Sequence, residues 1–173
     1  MMNASNEQES EKTKEKAVDQ VAGCVLTFVL GNSLYALNAT MVQEVTKHHF
    51  ITMIHQAPAF IVGVLNLRGK IVTVINLAKK IGLQVTEQKA SATSQKNIII
   101  VEWNNESVGL LVDQVAEVIS IDHENLCSSP GNVDDHQVKF IEHIYPTNKN
   151  LIAILNIDLV MREDIDHENF SSR

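Results

Sequence analysis

The amino-acid sequence is written twice over. Displaced by 73 positions without gaps, Phe28 falls on Val101, Leu30 on Trp103, Asn32 on Asn105, Leu37 on Leu110, Val42 on Val115, Glu44 on Glu117 and Val45 on Val118. Val-x-Glu-Val therefore stands at the same place in each half. Further along, a displacement of 80 takes over: Phe60 and Ile61 fall on Phe140 and Ile141, Val64 on Ile144, Ile71 on Leu151, Val74 and Ile75 on Ile154 and Leu155, and Asn76 and Leu77 on Asn156 and Ile157. The seven-residue difference is assigned to the polar stretch Ser128–Gln137, because loops absorb insertions. Two copies are too few for a solenoid or a propeller. Each copy has enough strands to close a small barrel, and closure removes the exposed edges that would otherwise aggregate. The expectation is an all-β protein of two five-stranded β-barrel subdomains packed side by side. They would span residues 24–85 and 97–162, with their boundary near Thr86–Lys96 and a binding groove between them.

The local chemistry agrees with strands. Hydrophobic residues make up 45% of the chain but aromatics only 5%, so the core must rest on Ile, Val and Leu, and β-branched side chains suit a pleated surface. Val25–Leu30 reads as a strand turned by Gly31, Asn32 and Ser33 into Leu34–Leu37, followed by a strand at Met41–Thr46. Phe60–Leu67 runs out, Arg68-Gly69-Lys70 turns it, and Ile71–Ile75 runs back. The second half repeats this with Asn97–Trp103, Val108–Val112, Val115–Ile121, Val138–Ile144 and Leu151–Leu155. Short helices are expected at Leu77–Ile81, ended by Gly82, at Asp122–Leu126, and on the surface at Ile157–Ile165. Residues 1–22 are polar and charged and read as a disordered tail, and 166–173 as a frayed end.

The charge excludes some partners. A net charge of −7 argues against nucleic acid, whose phosphates need clustered Lys and Arg, and against an anionic membrane surface. No apolar run is long enough to cross a bilayer, and no signal peptide is visible. Cys24 and Cys127 have no metal or redox spacing and read as reduced cytosolic thiols.

Nothing in the sequence points to chemistry. His48 and His49 are adjacent and would face opposite ways in a strand. His55, His123, His136, His143 and His167 are scattered, and Asp134-Asp135-His136 lacks a second His at ligand spacing. There is no phosphate loop and no nucleophile elbow. Asp113, Glu117 and Asp122 are explained by strand alternation as well as by acid–base work. No catalytic residue, metal site or cofactor is expected. What stands out is Asn66-Leu67-Arg68-Gly69-Lys70 at the tip of an apolar hairpin, against Thr147-Asn148-Lys149 in the second half. The repeat does not require the Arg-Gly pair. An arginine beside a glycine turn offers bidentate contacts to a carboxylate, in a partner or in the same chain.

These stretches resemble one family. Phe28-Val-Leu-Gly-Asn-Ser-Leu-Tyr-Ala-Leu, Val42-Gln-Glu-Val, Pro58-Ala-Phe-Ile-Val-Gly-Val-Leu-Asn-Leu-Arg-Gly-Lys-Ile-Val and Val108-Gly-Leu-Leu-Val-Asp-Gln-Val-Ala-Glu-Val-Ile are similar to the CheW-like domain, from about Cys24 to Met161. The resemblance implies two SH3-like barrels and no catalytic activity. It implies a signalling adaptor that binds the regulatory domain of a CheA-type histidine kinase and the cytoplasmic tip of methyl-accepting chemoreceptors. Val42, Glu44, Gly63, Arg68 and Gly69 match positions linked to receptor coupling or to the shape of that region; kinase-contact residues are not assigned. The alternatives are a CheW-like scaffold of a non-chemotaxis system, or an enzyme or small-ligand-binding double barrel sharing the fold. Two positions depart from the family pattern: Asn76 stands where an Asp is usual, and His143 where a Gly is common.

Overall fold

A computed structural model describes residues 23–47, 51–83, 96–129 and 137–162. The tails read as disordered or frayed, the polar linker, and the Asp134-Asp135-His136 cluster lie outside these residues.

The first half supplies β1 (Gly23–Leu30), β2 (Ser33–Asn38), β3 (Val42–Lys47), β4 (Ile61–Leu67), β5 (Lys70–Asn76) and the short helix α1 (Leu77–Lys80). The second supplies β6 (Asn97–Trp103), β7 (Glu106–Val112), β8 (Gln114–Ile121), β9 (Cys127–Ser128), β10 (Ile141–Pro146), β11 (Leu151–Leu155) and α2 (Ile157–Arg162). Single 3-10 turns precede β3, β9 and β10, at Ala39–Met41, His123–Asn125 and Val138–Phe140. The described residues are thus mostly β, with two short helices and two sheets. Val138–Phe140, expected as strand, is the 3-10 turn that leads into β10. The last helix, expected on the surface, buries Ile157 and Val160.

The sheets do not follow the sequence halves. The first has the order β8-β1-β2-β11-β10-β9 and the second β3-β6-β7-β5-β4. Each takes its leading hairpin from one half and its remaining strands from the other. The expected boundary near Thr86–Lys96, with one barrel on each side, is therefore corrected. The second sheet is the contiguous stretch 42–112, and the first is 23–38 joined to 114–155. Sequence similarity could not reveal this, because an exchanged hairpin carries the same residue pattern as one that stays at home.

The repeat itself holds in three dimensions. Replacing β3, β6, β7, β5 and β4 by β8, β1, β2, β11 and β10 converts the second strand order into the first five strands of the other, which adds β9 at its edge. Parallel pairs join the halves within each sheet, β5 with β7 and β11 with β2. Bulges interrupt the register at equivalent places, between Val42 and Glu44 against β6 and between Leu26 and Phe28 against β8. Both helices are capped alike: Asn76 Oδ1 accepts from the Lys79 amide at 3.0 Å and Asn156 Oδ1 from Leu159 at 3.1 Å. Asn and Asp are equivalent N-caps, so Asn76 costs the fold nothing.

Three cores follow from the alternation of side chains. Ile98 and Ile100 point into the second sheet's own core with Leu65, Val72, Val74 and Leu111. Ile99 and Val101 point the other way, into a central cluster that also holds Leu26, Phe28, Leu37 and Leu155 from the first sheet and Phe140 from the turn before β10. All four residues of Ile98–Val101 are fully buried. Both faces of the strand are covered, so the run is apolar throughout rather than alternating. Val25, Ala36, Ile121, Ile152 and Ile154 make the first sheet's own core. The seam between the sheets is a packed core, and a hydrogen bond from Trp103 Nε1 to Asp158 Oδ1, 2.8 Å long, ties β6 to α2 across it.

Candidate functional site

The candidate site sits on the hairpin of β4 and β5. Leu67 pairs with Lys70, which leaves a two-residue loop of Arg68 and Gly69. Both have positive φ, +53° and +86°. This is the primed turn that matches the twist of flanking strands, and only glycine adopts it at no cost. The Gly69 amide donates to Asn66 Oδ1 at 2.8 Å, which fixes the turn. From it Arg68 reaches across to β3, where its Nη2 lies 2.8 Å from Glu44 Oε2. The arginine side chain is 83% exposed and the glutamate 26%, so the pair stabilises the fold by only about 0–1 kcal/mol while presenting a guanidinium to solvent. Exposed apolar residues lie on the same two strands, Val45 next to Glu44 and Ile71 just beyond the turn.

The remaining expected residues have separate places. Gly63, with φ +150°, lies against the segment before β4. A Cβ there would stand 2.2 Å from the Thr52 carbonyl oxygen, and Thr52 and Val64 exchange two backbone hydrogen bonds of 2.8 and 2.9 Å. Gly63 is therefore the residue that lets residues 51–54 close on the sheet and display Met53 and Ile54, both exposed. Val42 is half-buried, packed against the central core at the start of β3. Glu44, Arg68 and Gly69 thus converge, Gly63 shapes the neighbouring edge, and Val42 lies beneath. Asn66, at the start of the hairpin tip, joins these residues as the cap of the turn; an Asn three positions before a turn Gly is the local sequence signal for it.

The equivalent place in the first sheet is different. Glu117 on β8 occupies the position of Glu44, but the β10–β11 connection is the longer loop Thr147–Asn150. Thr147 closes it, accepting from the Asn150 amide through Oγ1 at 3.0 Å. No ion pair forms there among the described residues.

His143 stands where Gly63 stands in the other sheet, and the bulge between Ile141 and His143 matches that between Ile61 and Gly63. Its Nε2 and the Nδ1 of His123 are both buried without a hydrogen-bond partner. Burial, and then the nearby His123, hold the His143 pKa below its ordinary value. Neighbouring Glu142 is displaced upward by burial and by Asp158. A depressed histidine contributes stability that is complete above the unfolded pKa near 6.5 and is lost as pH falls toward the folded value. Raised Glu142 acts with the opposite sign, gaining stability as pH falls through its folded pKa. The melting temperature of the wild type should therefore fall between pH 7.5 and 5.5 by more than that of His143→Gln. Equal slopes in thermal melts across that window would remove His143 from the acid response.

Among the described residues no three metal-ligating side chains cluster, and no helix is long and apolar enough to cross a membrane. Cys24 and Cys127 are exposed and not joined. One cavity, about 620 Å³, is an open hollow between the β1–β2 and β10–β11 turns, lined by both polar and apolar residues. A second, about 310 Å³, holds Glu142 and Asp158 beside Asn38 and Asn156. Three of its polar residues have structural partners: Asp158 accepts from Trp103, Asn38 caps the turn at Ala39–Met41, and Asn156 caps α2.

Comparison with known proteins gives one picture. The family model described as the CheW-like domain matches residues 24–164. A chemotaxis protein CheW of Thermotoga maritima is 34% identical over 139 residues, covering 80% of this chain and 87% of that protein. The chemotaxis protein CheW of Bacillus subtilis is 28% identical over 140 residues, covering 81% of this chain and 87% of that one. The crystal structure of the scaffolding protein TtCheW from Thermoanaerobacter tengcongensis superposes with a TM-score of 0.71 at 35% identity, over 83% of this chain and 90% of that chain.

Proposed function

Because this chain belongs to the CheW-like domain family, whose members are scaffolds and adaptors rather than enzymes, we propose that it couples chemoreceptors to a CheA-type histidine kinase in a chemotaxis array. It works in the cytoplasm at the membrane-associated receptors. The cytoplasmic tip of a methyl-accepting receptor docks beside Arg68, and the kinase's regulatory domain docks elsewhere on the two sheets.

Arg68 is the observation that carries this reading. The same type of two-residue turn joins β6 to β7, where the residues are Asn104 and Asn105 with φ +50° and +63°. Asparagine tolerates the left-handed region, whereas an arginine there is conformationally unfavourable. The turn itself thus gains nothing from arginine, and its exposed planar fork of donors is suited to a carboxylate or backbone carbonyl of a partner. Exposed apolar side chains occur as repeat-related pairs, Val45 with Val118 and Ile71 with Leu151, which suits an adaptor with two faces.

Arg68→Ala is expected to weaken binding of a receptor-tip fragment at least tenfold, about 1.4 kcal/mol, from a starting affinity near micromolar, about −8 kcal/mol. Kinase binding should change less. The melting temperature should stay nearly constant, since an exposed ion pair contributes little. Separate calorimetric titrations with the two partners check this. Unchanged receptor binding would reduce Arg68 to a solvated turn, and a large drop in melting temperature would make it structural.

A further inference from the structure

We infer that Asn66 is a positioning residue for Arg68: its side chain clamps the turn so that the arginine is held in its left-handed conformation and aimed across β3. The inference rests on the reading of Arg68 as a partner contact and says what keeps that contact in place.

Two turns of one kind in one sheet make the argument. At the β4–β5 turn, Asn66 Oδ1 accepts the Gly69 amide at 2.8 Å. At the β6–β7 turn the corresponding residue is Glu102, two before Asn104, and its carboxylate accepts from Gln43 Nε2 at 2.9 Å. Among the described residues no side-chain hydrogen bond ties that turn's amides, and its two asparagines occupy positive φ, which asparagine tolerates. The turn that carries a side chain poorly suited to its backbone is the one with a clamp. Without it, the Arg68–Gly69 segment samples other turn geometries, and the guanidinium is no longer delivered 2.8 Å from Glu44. Asn66 is itself exposed, so shortening it removes no core contact.

The test compares Asn66→Ala, Asn66→Asp, Arg68→Ala and the double variant Asn66→Ala/Arg68→Ala in the full chain. Each is titrated with a receptor-tip fragment and with the kinase regulatory domain. Asn66→Ala should weaken receptor binding about fivefold, the size of one net hydrogen bond, while kinase binding is unchanged. Asn66→Asp keeps the accepting oxygen and should rescue binding to within about twofold. In the Arg68→Ala background, Asn66→Ala should have no further effect, because a residue that acts through another is silent once that other is gone. In the protein without partner, amide exchange at Gly69 should accelerate in Asn66→Ala and not in Asn66→Asp. Unchanged Gly69 exchange, wild-type binding by Asn66→Ala, or a loss that persists undiminished without Arg68 would each overturn the inference. Wild-type receptor binding by Arg68→Ala would bring down the functional reading instead, and Gly69 exchange would still decide whether Asn66 holds the turn.

Discussion

Cut between residues 83 and 96 and expressed as separate halves, neither piece is expected to fold, and mixing the two should restore the native β spectrum. The first half alone keeps the β1–β2 and β4–β5 hairpins, but β3 loses β6, and β5 loses β7. The core of the second sheet is divided, with Leu65, Val72 and Val74 on one piece and Ile98, Ile100 and Leu111 on the other. Isolated hairpins are marginal in water, and a half-core does not offset the conformational entropy of ordering its strands. Circular dichroism should show no cooperative melt for either half. An equimolar mixture should melt cooperatively and elute as one species. A cut placed instead to leave residues 39–115 whole keeps every strand of the second sheet on one piece, and that fragment should retain more β structure than either half. A half that folds cooperatively alone would contradict the strand exchange.

Gly63→Ala is expected to destabilise the protein by about 3 kcal/mol, combining overpacking with backbone strain. The added carbon would lie 2.2 Å from the Thr52 carbonyl oxygen, 2.7 Å from Ile51 Cγ2 and 2.9 Å from the Thr52 carbonyl carbon. Two of these are backbone atoms, so no rotamer change relieves the clash. Relief requires breaking the two hydrogen bonds between Thr52 and Val64 and withdrawing Ile51 from the core it packs against. For a chain of this length the melting temperature should drop by roughly 6–12 °C. Gly69→Ala is the control. Its φ is also positive, but nothing lies within 4 Å of the added carbon, so only the conformational cost of about 1 kcal/mol remains. Equal effects at the two glycines would show that the contact with Thr52 is not what demands Gly63.

Particular residues mark how far reading the chain alone could go. Strand positions were legible because Ile, Val and Leu runs are punctuated by turn residues, and Gly31, Arg68-Gly69 and Asn104-Asn105 do turn the chain. The ion pair of Arg68 with Glu44 joins positions 24 apart in sequence, and no local spacing signals it. The nearness of His123 to His143 gave no sequence signal: it arises where the 3-10 turn before β9 meets β10. Nor did Lys80, a helix-end lysine by pattern, reveal that its ammonium lies buried 4.1 Å from the centre of the Phe60 ring. Such contacts depend on which surfaces meet, and a local pattern does not carry that information.

The sequence by itself determined that there are two copies of one β unit, where the strands and turns of each lie, and that an Arg-Gly turn belongs to only one copy. Those properties are local, set by side-chain shape, by the alternation of apolar positions and by which residues accept positive φ. Only the tertiary structure decided that the copies exchange hairpins, that Asn66 clamps the turn, and that Gly63 yields to Thr52. Strand partnership is chosen by burial across the whole chain. Two nearly equivalent hairpins satisfy either sheet in sequence terms, and only the packing of three cores at once settles which sheet each one joins.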